Sequence, residues 1–190
     1  MHRQPLLDLL DNYEKLYAEE SPVVDQIRHL VSQHKDCFER TCRPGHITGS
    51  AWVLSPDRSR CLLLHHRKLD RWLQPGGHAD GETDVSEVAM REAQEESGLV
   101  TLALQNAGIP LDVDVHEIPA RFDVNGKLVE DAHQHHDIRF LFEAAAGEGL
   151  VLSDESHDLR WLTHSEVLNL TNEESVLRML HKAGPHAPVA

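Results

Sequence analysis

The chain has 190 residues, enough for one domain with a core of its own, or one domain with an extension. Its 32 acidic and 18 basic residues leave a net charge of −14 with the 15 histidines neutral, which argues against binding duplex nucleic acid or docking on an anionic membrane. No apolar run approaches the roughly 20 residues of a spanning helix, and Asp8 and Asp11 interrupt the leucine-rich start, so no signal peptide is read there and a cytoplasmic protein is expected.

Leu6, Leu9, Leu10, Tyr13, Leu16 and Tyr17 recur at helical spacing and predict a helix over 4–19. Ser21-Pro22 then reads as an N-cap and an N1 proline. They open a second helix, striped by Val23, Val24, Ile27, Leu30 and Val31, that runs to about His34. Arg43-Pro44-Gly45 is a break, so 1–44 is expected to be a helical extension and 45–184 the main domain. The extension suits packing or the surface of a homodimer. His34, Cys37, Cys42 and His46 lie close in sequence, but the Cys-x4-Cys spacing is loose and no second pair supports a zinc site. Free thiols are the better reading.

From Ile47 the period changes. Residues 47–54 and 60–66 are apolar and strand-like, joined by a turn at Ser55-Pro56-Asp57-Arg58-Ser59. Leu111, Val113 and Val115 alternate with polar residues, Asn125-Gly126 marks a tight turn, and Ile138, Phe140 and Phe142 alternate again. A short strand is expected over 158–162, then helices over 165–170 and 172–182, the second stopped by Gly184-Pro185. Strands, a helix, more strands and terminal helices predict an α/β or α+β sandwich.

The chemistry lies in residues 74–99, QPGGHADGETDVSEVAMREAQEESGL. A glycine-rich loop leads to Asp84, a plausible N-cap with Glu87 as its capping-box partner, and Gly98 suits the residue after the helix end. A helix over 85–97 turns Val85, Val88, Ala89 and Ala93 inward. Glu92, Glu95 and Glu96 stand at i, i+3 and i+4, three carboxylates on one face beside the negative end of the helix dipole. Arg91 and Glu87 pair at i, i+4 and offset a little of that repulsion. A hard divalent cation would relieve it, since Mg²⁺ takes oxygen ligands and often a substrate phosphate.

The stretch resembles the Nudix hydrolase box, G-x5-E-x7-R-E-U-x-E-E-x-G-U with U aliphatic. Gly77 matches its first glycine, and Arg91-Glu92-Ala93-Gln94-Glu95-Glu96-Ser97-Gly98-Leu99 matches its second half in register. One position departs: Thr83 stands where the pattern wants glutamate, and Glu82 offers a carboxylate one residue early. Over about 47–164 the resemblance implies a Nudix-type α/β/α sandwich around a mixed sheet. It also implies water attack on a phosphoanhydride of a nucleoside diphosphate derivative, with Mg²⁺ or Mn²⁺ as cofactor. Carried onto this chain, the resemblance makes Glu92, Glu95 and Glu96 the metal-ligand positions and implies a further carbonyl ligand from the Gly76-Gly77 backbone. Arg91 is similar to the arginine that orients a box glutamate, Glu92 is the first choice for general base and Glu155 the second.

Strand alternation puts His133, His135, Asp137 and Arg139 on one face, where the histidines and arginine would suit an anionic substrate; His78 could reach the same cleft. Trp72 and Phe122 could stack on a base, although single aromatics are usually core. Two alternatives stand beside hydrolysis. A non-catalytic nucleotide-sensing Nudix domain often loses box carboxylates, whereas Glu92, Glu95 and Glu96 are all present here. Isopentenyl-diphosphate isomerase, of the same fold, needs a cysteine that the stretch from Trp72 to His78 lacks.

Overall fold

The computed structural model describes residues 2–184. It begins with two antiparallel-packed helices, α1 (Gln4–Leu16) and α2 (Ser21–Gln33), joined by a single turn of tighter helix at Ala18–Glu20. The first helix is three residues shorter than its apolar spacing predicts, because Tyr17 leaves helical geometry. The cap of α2 is also one residue early: Glu20, not Ser21, holds that position and makes no side-chain cap. Its carboxylate instead takes Lys182 at 2.6 Å and the Tyr13 hydroxyl.

The sheet follows. Its strands are β1 (Gly45–Leu54), β2 (Arg60–His66), β3 (Arg71–Leu73), β4 (Gly76–His78), β5 (Leu102–Leu104), β6 (Asp112–Ile118), β9 (His133–Ala144) and β10 (Ser156–Thr163). A separate hairpin pairs β7 (Arg121–Phe122) with β8 (Leu128–Glu130), turning where Gly126 takes a left-handed φ of 78°. The main path runs β10-β2-β1-β9-β5, with β3 beside β2, β4 beside β1 and β6 beside β9. Only β1 and β9 are parallel among these pairs. They form the centre, and β1 is buried along its whole length, as expected of a strand covered on both faces.

Helix α3 (Val85–Ser97) covers one face. Val85, Val88, Ala89 and Ala93 pack there with Ile47, Ala51, Ile138 and Phe140. The apolar stripes of α1 and α2 join the same cluster, so residues of the extension complete the domain core. Each large aliphatic side chain so buried contributes about 1.5–3 kcal/mol. Helices α4 (His164–Leu170) and α5 (Glu174–Lys182) cover the other face through Val167, Val176 and Met179, against Trp52, Leu63 and Leu141. The result is an α/β/α sandwich around a mixed sheet. The predicted stop at Gly184-Pro185 extends to residue 185, outside the described residues.

The chain after α2 buttresses the glycine-rich loop. Gly81 N donates to Phe38 O at 3.0 Å, and the Arg40 guanidinium forks onto the Asp80 carboxylate. Cys37, Cys42 and Cys61 are buried and free, and burial pushes their thiols up, to about 11, 12 and 12. The His46 ring packs against those of His78 and His135 at 5.1 and 4.9 Å.

Candidate functional site

Local chemistry starts α3 where the sequence predicts. Asp84 accepts hydrogen bonds from Ser86 N at 3.1 Å and Glu87 N at 3.4 Å. The reciprocal bond comes from Glu82 instead of Glu87: its carboxylate accepts from Thr83 N at 2.7 Å and Asp84 N at 2.9 Å. Glu82 is thus tied to the loop backbone. At the other end Gly98 takes φ 72°, the left-handed residue that closes the helix.

The helix brings its carboxylates against β4. Glu96 is 8% exposed, and its Oε2 accepts from Gly76 N at 2.9 Å. Glu92 lies over Gly77 so closely that an added Cβ would sit 2.4 Å from its carboxylate and would push that carboxylate aside. Arg91 bonds Glu92 Oε1 at 2.8 Å and His78 O at 3.0 Å. It comes within 4.0 Å of Glu95, and no ion pair with Glu87 forms among the described residues. Glu95 is the exposed member of the three, 64% at the side chain.

Burial, followed by the neighbouring charges of Glu92, Glu155 and Glu95, pushes the Glu96 carboxyl up to about 7 despite the Gly76 amide. Burial also raises Glu92, against the opposing pull of Arg91. Glu155 is exposed, in the loop before β10, with its backbone oxygen accepting from Arg67 N at 3.0 Å. A hard divalent cation fits this donor set, because three clustered carboxylates share the single guanidinium of Arg91, which reaches Glu92 and Glu95 and leaves Glu96 with one backbone amide.

A model of the NUDIX domain matches residues 46–182. The chain belongs to the NUDIX family. This Nudix chain is 33% identical over 122 residues to a Mycobacterium tuberculosis protein provisionally named 8-oxo-dGTP diphosphatase 3, a match covering 60% of this chain. It spans about half the length of that relative, 50%. Among solved structures, a C. elegans Ap4A hydrolase superposes with a TM-score of 0.55 at 18% identity, over 72% of this chain and 93% of that one. A NUDIX-family hydrolase from Clostridium perfringens gives 0.54 at 24% identity, over 73% and 95%. Both likenesses establish the fold. Nudix hydrolases use divalent metal ions as a family. No helix among the described residues of this Nudix chain is long and apolar enough to cross a membrane.

The face predicted to meet substrate divides in two. His133 and His135 stand with His78 across β4 from Glu92, because neighbouring residues of a strand point to opposite faces. Arg139 does not join them and needs correction as a substrate contact. It is 2% exposed and bonds Asp137 at 2.8 Å, Asp112 at 2.8 Å and Asp114 at 3.0 Å, so its donors are spent inside the protein. Thr48 and Ser50 also donate to Asp137, while Arg178 and Lys182 complete Asp112.

Sequence reading did not place two residues on the histidine face, although it weighed His46 together with His34, Cys37 and Cys42. His46 is 2% exposed and lies beside His135 in the parallel β1–β9 register. His116 stands opposite His135 on β6 and contacts Asp114 at 3.1 Å. The H-x-H alternation of β9 was a signal, but its partners are set by pairing 89 residues away in the chain for His46 and 19 for His116. Trp72 stacks on His65 at 5.2 Å with Arg160 over its ring, and Phe122 is 60% exposed on the hairpin.

Proposed function

We propose that this chain is a metal-dependent pyrophosphohydrolase that cleaves a phosphoanhydride of a nucleoside diphosphate derivative by water attack. The observation that carries this reading is the under-compensated carboxylate cluster of Glu92, Glu95 and Glu96 against the Gly76-Gly77 backbone, in the frame of a Nudix box. Glu92, Glu95, Glu96 and the carbonyl of Gly76 would hold Mg²⁺ or Mn²⁺. When bound, the ion neutralises phosphate charge and lowers the pKa of a water.

The chain's own groups do the rest. Gly76 N holds Glu96 in place, and Arg91 ties Glu92 to the strand through the His78 carbonyl. Glu92 takes the proton of the attacking water, and Glu155, near enough to perturb Glu96, is the second choice for that base. His78, His133 and His135, expected to meet the anionic substrate, lie across β4 from this cluster. The three helix carboxylates of the box, Glu92, Glu95 and Glu96, favour an enzyme over a sensing domain, and the absence of cysteine between Trp72 and His78 disfavours the isomerase.

The test is turnover of a panel with Mg²⁺ and with Mn²⁺: 8-oxo-dGTP, a dinucleoside polyphosphate, ADP-ribose and a dinucleotide cofactor. At least one should be cleaved, and excess chelator should abolish the reaction. Glu96→Gln should lower kcat on that substrate by about a hundredfold or more. Turnover that survives chelation, or near-parental turnover by the variant, would overturn the assignment.

A further inference from the structure

The side of β4 opposite Glu92 carries a second cluster of different chemistry. Parallel pairing sets His46 beside His135, and antiparallel pairing sets Thr48 beside His78, so three imidazoles converge on one face. One ring nitrogen from each of His46, His78 and His135 lies within 4.8 Å of the others. His46 is 2% exposed, and neither of its ring nitrogens has a hydrogen-bond partner. A buried imidazole with both nitrogens idle is costly unless something ligates it.

We propose that His46, His78 and His135 bind one borderline transition-metal cation of the Zn²⁺ type, at a site separate from the box carboxylates. Three neutral nitrogen donors suit such an ion and are poor ligands for Mg²⁺. Tetrahedral metal–nitrogen bonds of about 2.0–2.1 Å set the nitrogens about 3.3 Å apart, so nitrogens that lie within 4.8 Å of one another would close by at most about 1.5 Å. The rings are ready as ligands, since burial first and the neighbouring histidines next lower His46 to about 4 and His135 to about 2. Protons therefore do not compete for these lone pairs near neutrality.

The surroundings hold the cluster in shape. His133 stacks on His46 at 5.0 Å and 27°. Its Nδ1 must donate to Asp131 O at 2.9 Å, because a carbonyl only accepts, and its Nε2 lies 3.3 Å from that of His135. His78 and His135 are half-buried, which leaves an entry path, and three protein ligands leave one tetrahedral position for water. The carbonyl of His78 accepts from Arg91, so an ion on its ring would also steady the strand against which Glu92 rests.

The test is titration of the metal-stripped chain with Zn²⁺ and Co²⁺ in millimolar Mg²⁺, which occupies the carboxylates. It is run on a Cys42→Ser background, because His34, Asp36 and Cys42 also have ligand atoms within 4.8 Å of one another. One equivalent of Zn²⁺ should bind, and Co²⁺ should give the strong visible absorption of a tetrahedral ion. His78→Gln and His135→Gln should each weaken Zn²⁺ by about a hundredfold, with the metal-free melting transition kept as proof of folding, while Glu96→Gln leaves it unchanged. Binding insensitive to both histidine variants, binding lost in Glu96→Gln, or no binding overturns the site. If both histidine variants fail to fold, the Cys42→Ser chain with its histidines intact decides: a weak octahedral Co²⁺ spectrum overturns it as well. None of these readouts uses turnover, so the site stands or falls independently of the proposed hydrolysis.

Discussion

Two groups of carboxylates flank the central strands of this protein, and the structure treats them in opposite ways. Asp112, fully buried on β6, receives Arg139, Arg178 and Lys182 at 2.7–2.8 Å. Burial alone would raise it, but the Arg178 hydrogen bonds and the charges of Arg139 and Lys182 outweigh that and hold it below the ordinary carboxylate range. Glu96, almost as buried on α3, has one backbone amide, and its pKa rises to about 7. A compensated buried carboxylate is a structural tie. An uncompensated one has a partner still to come, which is the physical difference between the two groups.

Removing the compensation should erase the distinction. Arg139→Met would leave Asp112, Asp114 and Asp137 without their shared cation and is expected to cost about 3–5 kcal/mol in urea unfolding. That is a large fraction of the roughly 5–15 kcal/mol stability of a typical domain. A loss under about 1 kcal/mol would mean that Arg139 is not what neutralises this network.

The opposite sign is expected at Glu96. Its carboxyl holds a proton more tightly folded than unfolded, with a pKa of about 7 against an ordinary 4.5. In the absence of metal it therefore destabilises the fold fully above pH 7, progressively less between pH 7 and 4.5, and not at all below. Glu96→Gln keeps an oxygen for Gly76 N and removes the charge. In chelator it should be more stable than the parent at pH 8, by on the order of 2–3 kcal/mol, and the gain should fade as the pH drops toward 4.5. Paired melting curves across that range measure it. A variant less stable than the parent at pH 8 would show that the folded protein already neutralises Glu96.

The smallest effect belongs to a carboxylate of the glycine-rich loop. Glu82→Ala removes the acceptor for Thr83 N and Asp84 N, and should cost about 1 kcal/mol in thermal melting. Turnover of the panel substrate should stay within a few-fold of the parent. A collapse of turnover on the scale expected for Glu96→Gln would move Glu82 from the loop cap into the metal-binding set.

Much of this was legible in the sequence because it is local. The helix of the box, its Asp84 cap and its Gly98 stop depend on residues within a turn or two, and so does the sharing of one face by Glu92, Glu95 and Glu96. The central strands were legible from continuous apolar runs, whereas β3, β4 and β5, three residues each, are too short to show a period. The capping of the loop by Glu82 in place of Glu87 depended on how the chain turned after Gly81, which spacing alone does not specify.

What only the tertiary structure decided is how distant elements line up. Alternation put Arg139 on a face with His133 and His135, but β6 laid Asp112 and Asp114 beside it and α5 added Arg178 and Lys182, which turned an apparent substrate contact into a buried tie. The parallel β1–β9 register set His46 beside His135, and burial against β4 raised Glu96. The sequence by itself determined which side chains share a helical or strand face, because that follows from the fixed periods of 3.6 and 2. Which charges meet across the sheet, and how much water they lose, follows from strand register and packing, which bring together residues far apart in the chain.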